Sequence, residues 1–261
     1  MPLTQENAER SAPAWTDADL AADVHAAPDK PGKVRAMFAA IARSYDLNNR
    51  LHSFGRDQAW RRRAVREAGV RLGDRVLDVA CGTGDLTHLF ARTQAAGVVG
   101  LDFTREMLDV AVRKRAGLRA DVAAKVEYVE GDATKLPFPD ASFDVVSIAF
   151  GLRNVGEPRQ ALAEFARVLR KGGRLIVLEF DRPSVPVFAW LNDLYCGWLM
   201  PRTATLISGD RSGAYKYLPR SVGAFMSRRE LLEAMREAGF SQSTARGLTM
   251  GVCACYRGER A

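Results

Sequence analysis

Asp78-Val79-Ala80-Cys81-Gly82-Thr83-Gly84-Asp85 joins a short apolar run, Arg75–Val79, to a helical pattern over Leu86–Arg92. Because glycine has no Cβ and tolerates a positive φ, glycines at a strand-to-helix turn let the backbone approach a ligand closely. Gly82 and Gly84 are therefore predicted to lie beside a bound ligand, at the carboxyl end of a strand in an α/β fold.

Three further observations indicate which class of ligand binds at this turn. A dinucleotide-binding G-x-G-x-x-G loop would place its third glycine at position 87, where this chain has Thr87. Asp102 ends the next apolar run, where a carboxylate accepts hydrogen bonds from a ribose diol. Asp132-Ala133 follows the third run and is placed for a contact with an adenine edge. The pattern favours a nucleoside without a pyrophosphate, and a nicotinamide-dependent oxidoreductase is the disfavoured alternative.

Outward from this turn, apolar runs alternate with helix-like stretches. The runs interpreted as buried strands are Arg75–Val79, Val98–Leu101, Val126–Val129, Val145–Phe150 and Leu175–Phe180. The alternation predicts a mostly parallel sheet with helices on both faces. After an amphipathic helix over Ser227–Gly239, the last runs, Ser243–Thr249 and Gly251–Arg257, are interpreted as an antiparallel pair.

The chain is interpreted as an N-terminal arm and one domain. Residues 1–32, rich in Ala, Asp and Pro, are predicted to be flexible and without a fold. A helical pattern begins near Val34, and residues 33–261 are predicted to form a single domain. Within it, residues 182–227 break the strand–helix rhythm and concentrate aromatic side chains, which suits a lid or acceptor-binding insertion.

Composition excludes several classes of protein. The chain has 261 residues, of which 47% are hydrophobic and 26% charged, as is ordinary for a globular domain. No apolar run reaches the roughly 18 residues of a membrane-spanning helix, and the N-terminus lacks a secretory signal, so a cytoplasmic location is expected. The cysteines fit neither a disulfide framework nor a metal site, and Cys253 and Cys255 are interpreted as buried structural thiols.

Positive charge is concentrated in one segment of a chain whose net charge is +7. Between Arg56 and Arg75, seven arginines stand against three acidic residues, a local net charge of +4. The segment is either a solvated helix face or a surface for an anionic membrane or a nucleic acid. A nucleic-acid methyltransferase is disfavoured, because Ala149-Phe150-Gly151-Leu152 stands where an Asn/Asp-Pro-Pro-aromatic motif would be needed.

The glycine loop, Asp102 and Asp132-Ala133 together resemble the class I S-adenosylmethionine-dependent methyltransferases. Narrower segments are similar to the ubiquinone/menaquinone biosynthesis C-methyltransferase family: YDLNNRLHS (45–53) followed by Trp60, FGLRNV (150–155), and RVLRKGG (167–173) leading to LEF (178–180). The similarity runs from about Lys33 to the C-terminus. It implies a Rossmann-like seven-stranded sheet, S-adenosylmethionine as the methyl donor without a metal, and a polyprenylated quinol as the acceptor.

Residue by residue, the resemblance places cofactor binding on the glycine loop and on the polar strand ends: Gly82, Thr83, Gly84, Asp102, Asp132 and Ala133. Other positions depart from the family pattern. Ala149 stands where some members have a serine that contacts the cofactor. The remaining departures, which leave the glycine loop intact, are Asn48, His52, Asp57, Arg170-Lys171 and Phe180-Asp181.

Methyl transfer from a sulfonium is a direct displacement that depends on orienting the acceptor carbon. A quinol ring carbon becomes nucleophilic when a neighbouring hydroxyl loses its proton. Arg153 is predicted to stabilise the developing oxyanion and Asn154 to orient it. The alternative for Arg153 is a structural salt bridge that shapes the loop. Tyr45 is a candidate to close over the donor. The candidate bases are first Glu179 and Asp181, then Asp210 and Tyr195, and last His52 and His25.

The resemblance to this family implies C-methylation of a polyprenylated quinol in respiratory quinone biosynthesis. Demethylmenaquinol is the favoured acceptor, and 2-methoxy-6-polyprenyl-1,4-benzoquinol is the alternative. A non-catalytic S-adenosylmethionine-binding scaffold subunit is the alternative from another class. An apolar acceptor resides in a bilayer, so peripheral contact with the inner face of the cell membrane is expected. No nucleic-acid partner is expected, and no residue decides the oligomeric state.

Overall fold

Seven strands form one sheet within the part of the chain that the computed structural model describes, residues 13–183, 185–200, 202–203 and 212–261. They are β1 (Arg75–Val79), β2 (Gly97–Asp102), β3 (Val126–Glu130), β4 (Phe143–Ala149), β5 (Leu169–Phe180), β6 (Phe240–Leu248) and β7 (Cys253–Arg260). Their order is β3-β2-β1-β4-β5-β7-β6. Among these strands, β7 runs antiparallel to both of its neighbours, β5 and β6, and the other neighbouring pairs are parallel. The predicted mostly parallel sheet with an antiparallel last strand is confirmed.

The helices of the described residues either precede β1 or lie in connections between the strands. They are α1 (Asp17–Ala21), α2 (Lys30–Ile41), α3 (Tyr45–His52), α4 (Arg56–Ala68), α5 (Asp85–Ala91), α6 (Arg105–Arg115), α7 (Ala120–Ala123), α8 (Pro158–Val168), α9 (Pro186–Leu194), α10 (Ala214–Ala224) and α11 (Arg228–Glu237). Helix α9 continues as the π-helix Tyr195–Leu199, and Leu152–Asn154 forms a short 3₁₀ turn. No helix of the described residues is long and apolar enough to cross a membrane.

Local sequence explains where helices begin and end. Helix α11 begins after Ser227, whose side chain accepts a hydrogen bond from the Glu230 amide, while the Glu230 carboxylate accepts one from the Ser227 amide. It ends before Gly239, which has a φ of +93° that other residues adopt only with strain. The predicted helices at residues 34–41, 86–92 and 227–239 are confirmed with shifted ends.

Alternate side chains of the central strands pack on opposite faces of the sheet. Leu77 and Val79 of β1 join one apolar cluster with residues of α8 and α11, whereas Val76 joins another with residues of α4 and α5. Cys253 and Cys255 of β7 lie in the second cluster, so the prediction of buried structural thiols is confirmed. Both faces are therefore covered by helices, and the carboxyl ends of the parallel strands remain as the edge where ligands bind.

The prediction that residues 1–32 have no fold is wrong for residues 13–32, and residues 1–12 lie outside the described part of the chain. Trp15 is only 2% exposed and stacks on Tyr217, with ring centroids 4.4 Å apart. The Trp15 amide also donates to the Ser212 carbonyl over 3.1 Å. Burial of aromatic area on α10 outweighs the polar composition that suggested flexibility.

Replacing Trp15 with alanine is expected to lower the free energy of unfolding by about 3 kcal/mol, because it removes a fully packed aromatic ring. Trp190→Ala is the matched control, since Trp190 is exposed and its replacement should cost less than about 0.5 kcal/mol. Both values come from urea unfolding followed by circular dichroism. Equal stabilities for the two variants would contradict the packing of this segment.

Candidate functional site

A first cavity of about 200 Å³ lies at the carboxyl ends of β1, β2 and β4. Its lining includes four of the predicted cofactor residues, namely Gly82, Asp102, Asp132 and Ala133. Tyr45 and Asn154 also line it. The carboxyl ends of β1, β2 and β4 are far apart in sequence but adjacent in the fold. This arrangement is expected for ligand sites of open α/β sheets.

The two loop glycines have different surroundings. Gly82 has a φ of +56°, and a Cβ built on it would meet no atom within 4 Å, so the backbone here faces open space beside the cavity. Gly84 has a φ of +81°, and a Cβ there would clash with the Tyr128 hydroxyl. Gly82 can therefore approach a ligand, whereas Gly84 is required for packing of the loop on β3.

Asp102 connects the end of β2 to the glycine loop. One carboxylate oxygen accepts from the Gly82 amide over 2.8 Å, and the other accepts from the Thr104 amide over 2.9 Å. Asp102 is 5% exposed, and burial raises its pKa. Each carboxylate oxygen has a further lone pair, so this side chain can also accept hydrogen bonds from a diol in the cavity. The open backbone at Gly82 and this carboxylate fit the ribose end of S-adenosylmethionine.

Thr83 does not line the first cavity. Its hydroxyl donates to Asp46 over 2.6 Å, and Lys114 forms ion pairs with both Asp46 and Asp85. This polar cluster secures α3 over the glycine loop. The role of Asp46 was not predicted from the sequence, although its position in the YDLNNRLHS segment is a signal that could have indicated it.

His88 supports the loop from α5, where its Nε2 lies 2.7 Å from the Tyr128 hydroxyl. Burial is the main cause that lowers the pKa of His88 to about 4, from an ordinary value of 6.5. Between these two values the unfolded chain binds a proton that the folded chain does not. Stability from this group is therefore lost as the pH falls from about 6.5 towards 4.

Replacing His88 with glutamine, which keeps a hydrogen-bond acceptor, is expected to reduce this pH dependence. Between pH 7 and 5 the wild type should lose about 1 kcal/mol more unfolding free energy than the variant, after allowance for solvent screening. Urea titrations at both pH values measure the difference. Parallel losses in the two proteins would contradict a buried, neutral His88.

A second cavity of about 520 Å³ adjoins the first. Phe38, Tyr45 and Phe150 line both cavities. Aromatic side chains from several elements line the rest of the second cavity: Trp60, Phe180, Tyr195, Tyr215 and Tyr217. Arg153 and Asp181 also line it. Its size and lining suit a planar ring that carries an apolar chain.

Arg153 and Glu179 form one buried ion pair. The Arg153 Nη1 lies 2.7 Å from a Glu179 carboxylate oxygen, and the Glu179 side chain is only 1% exposed. Arg153 also donates to the Phe150 carbonyl over 2.6 Å. The two residues that were predicted to act separately are therefore partners, and Glu179 holds the guanidinium in place. Asp181 is likewise paired, with Arg228.

Asn154 lines the first cavity and contacts Tyr217, which lines the second. Its side-chain amide donates to the Phe150 carbonyl over 3.2 Å, and its oxygen accepts from the Tyr217 hydroxyl over 3.1 Å. Phe150 has a φ of +58°, which is strained for a residue with a Cβ. The Arg153 and Asn154 side chains both bind the Phe150 carbonyl, and so hold this strained turn beside both cavities.

The other candidates fall in different places. His52 lines the second cavity, and its backbone carbonyl accepts from the Tyr195 hydroxyl over 3.0 Å. Burial lowers the pKa of His52 and raises that of Tyr45. His25 lines neither cavity and contacts the Ser221 carbonyl instead. Asp210 lies outside the described residues.

Sequence reasoning missed the role of Asp57 and Arg61. They form a buried ion pair with an N···O distance of 2.7 Å, and both line the second cavity. The Arg61 guanidinium lies 5.4 Å from the centroid of the Phe150 ring. Their spacing of four residues on α4 was the available signal. Within the described ranges, no group of three or more His, Cys, Asp or Glu side chains could hold a metal ion.

Comparisons with known proteins identify the family of this chain. The profile of the ubiE/COQ5 methyltransferase family matches residues 27–260. A demethylmenaquinone methyltransferase of Deinococcus radiodurans is 46% identical, over 89% of this chain and 94% of the relative. One of Thermus thermophilus is 47% identical, over 86% of this chain and 100% of the relative. A ubiquinone/menaquinone biosynthesis C-methyltransferase UbiE of Ectopseudomonas mendocina is 44% identical, over 88% of this chain and 89% of the relative.

Solved structures share the fold at low sequence identity. A possible histamine N-methyltransferase of Thermotoga maritima superposes with a TM-score of 0.59 at 20% identity, covering 86% of this chain and 99% of that chain. The putative methyltransferase bound to the Trm112 activator of Haloferax volcanii gives 0.59 at 20% identity, covering 85% and 96%. These likenesses support the Rossmann-like fold.

Proposed function

The chain belongs to the ubiE/COQ5 methyltransferase family, and from that premise we propose that it methylates demethylmenaquinol at a ring carbon, in menaquinone biosynthesis. It is an S-adenosylmethionine-dependent methyltransferase, and the Rossmann-like fold agrees with this activity. The relatives with 46% and 47% identity that carry the name demethylmenaquinone methyltransferase favour the naphthoquinol. A methoxy-polyprenyl benzoquinol is the alternative acceptor, because another relative at 44% identity carries a name that includes ubiquinone biosynthesis.

The observation that carries this proposal is that the two cavities adjoin. Phe38, Tyr45 and Phe150 border both, so a methyl donor in the first cavity and a ring in the second would lie next to each other at these side chains. Holding two reactants in adjacent sites can supply about 7–11 kcal/mol of the barrier reduction. In this arrangement Tyr45 closes over the donor, as the sequence suggests.

Cofactor binding is proposed for Gly82, Asp102, Asp132 and Ala133, which line the first cavity. When bound, S-adenosylmethionine supplies an electrophilic methyl group on a sulfonium. Asp102 accepts hydrogen bonds from its ribose while keeping the glycine loop closed through the Gly82 amide. Thr83 and Gly84 act indirectly, through the Asp46 contact and through packing on Tyr128.

Acceptor activation is proposed for Arg153. Its guanidinium borders the second cavity and is oriented by Glu179, so it can donate to a quinol oxygen and stabilise the phenolate. Asn154 fixes the turn that carries Arg153. Because Glu179 and Asp181 are both engaged in ion pairs, we propose that a cationic donor, rather than a free carboxylate base, lowers the pKa of the quinol hydroxyl. Residues 182–227 contribute Tyr195, Tyr215 and Tyr217 to the lid over the prenyl chain.

The test is expression in a host that lacks its own quinone methyltransferase, with mass spectrometry of extracted quinones. Demethylmenaquinone should gain one methyl group with the wild type and none with Asp102→Ala. A gain only on the benzoquinone would reverse the choice of acceptor. No gain on either quinone, while the protein still binds S-adenosylhomocysteine, would contradict the proposal and favour the scaffold alternative.

A further inference from the structure

Among the residues that the structure describes, the segment 185–199 exposes a large apolar surface. Helix α9 and the π-helix that continues it contain no buried residue. Trp190 is 64% exposed and Trp198 is 56% exposed. The other large apolar side chains exposed on this segment are Val185, Val187, Phe188, Leu191, Leu194 and Leu199. We call this set, together with the two tryptophans, the apolar face; contiguous exposed surfaces of this kind mark interaction sites.

The apolar face is continuous with the wall of the second cavity. Tyr195 belongs to the same segment and lines that cavity, and its ring centroid lies 5.7 Å from that of Phe54. Phe54 is 78% exposed and lines the cavity as well. The apolar face therefore borders the cavity that is proposed to hold the acceptor.

Positive charge flanks this face. Arg56 and Arg182 are exposed and line the second cavity, and the Arg202 guanidinium lies 4.7 Å from the Trp198 ring centroid. Within residues 185–199, the acidic residue is Asp193, and it lines the second cavity. Exposed tryptophans with neighbouring arginines fit the boundary between lipid headgroups and acyl chains. A second copy of this face would instead bring like charges together.

The segment Arg56–Arg75 does not form one basic surface. Arg61 is buried in its pair with Asp57, and Arg63 pairs with Glu67 on the same helix. Arg75 contacts the Ser142 carbonyl at the amino ends of β1 and β4, the edge opposite the cavities. Two arginines of this segment line the second cavity: Arg61, which is buried, and Arg56, which is exposed.

We propose that the apolar face docks on an anionic lipid bilayer, so that a polyprenylated acceptor enters the second cavity directly from the membrane. The proposal rests on the proposed function for its account of the acceptor. It assigns membrane contact to residues 185–199, with Arg56, Arg182 and Arg202 as the groups that meet the headgroups.

The test is co-sedimentation of the full chain with vesicles of phosphatidylcholine, alone or with a quarter of phosphatidylglycerol. The wild type should bind the mixed vesicles more strongly, and high salt should weaken that binding. Trp190→Ser/Trp198→Ser should lower the partition coefficient about tenfold or more. Leu72→Ser, at an exposed leucine outside this face, is the matched control and should bind as the wild type does.

Activity separates this proposal from the proposed function. With a short-chain, water-soluble demethylmenaquinol analogue, the double variant should turn over as fast as the wild type, whereas with a long-chain acceptor in vesicles it should be slower. Unchanged vesicle binding in the double variant would overturn the docking proposal. The docking proposal would also be overturned if neither protein bound vesicles and the wild type formed a dimer that the double variant did not form. Binding that behaves as expected, with no turnover of either acceptor, would instead contradict the proposed function.

Discussion

Replacing Asp102 with alanine is expected to lower kcat/KM by about 1,000-fold, which corresponds to about 4 kcal/mol. The carboxylate is expected to accept hydrogen bonds from the ribose hydroxyls, and hydrogen bonds to a charged group are worth about 1.5–3 kcal/mol each. The substitution also removes the acceptor that holds the Gly82 amide. Loss of donor affinity should therefore account for most of the effect.

Calorimetric titration with S-adenosylhomocysteine measures that affinity directly. Asp102→Asn keeps one carbonyl acceptor and should fall between the wild type and the alanine variant. Asp121→Ala is the control, because Asp121 pairs with Arg119 in an exposed ion pair. If Asp102→Ala binds S-adenosylhomocysteine as tightly as the wild type, the first cavity is not the donor site.

Replacing Arg153 with glutamine is expected to lower kcat by about 1,000-fold, because it removes the donor proposed to stabilise the phenolate. It also leaves Glu179 buried without its partner, at a cost of about 3–5 kcal/mol in unfolding free energy. The single variant therefore mixes a catalytic loss with a loss of stability. Arg153→Gln/Glu179→Gln removes both charges and should recover most of the stability.

The double variant makes the experiment decisive. Because Arg153 lines the second cavity and not the first, S-adenosylhomocysteine affinity should stay near that of the wild type in both variants. The kcat should stay low even where stability has recovered. Recovery of kcat along with stability would mean that Arg153 serves only to shape the loop.

The fold was largely predictable because its strongest signals are local. Strands buried on both faces appear as continuous apolar runs, and β1, β2 and β3 were located to within a residue or two. The packing of Trp15 on Tyr217 was not predictable, since nothing in the first residues indicates a partner near the opposite end of the chain. Composition indicates whether a segment would fold in isolation. Here the segment is ordered because Trp15 packs on Tyr217, a contact that composition does not reveal.

The sequence predicted at which edge of the sheet the site lies, but not which side chains of the site pair with each other. Sequence order places Asp102, Asp132 and Arg153 after strands, and the carboxyl ends of parallel strands meet at one edge. It does not say that Glu179 faces Arg153, or that Thr83 turns to Asp46 rather than to the cavity. Those contacts depend on side-chain directions, which only the assembled sheet defines.

Strand β7 has a consequence for how the protein is made. It lies between β5 and β6, although it follows both in the chain. During synthesis on the ribosome, β5 and β6 have no contact with each other in the sheet until residues 253–260 have emerged. The unpaired edge of β5 is a template for aggregation during that interval. We expect the nascent chain to depend on chaperones most strongly just before its last strand is complete.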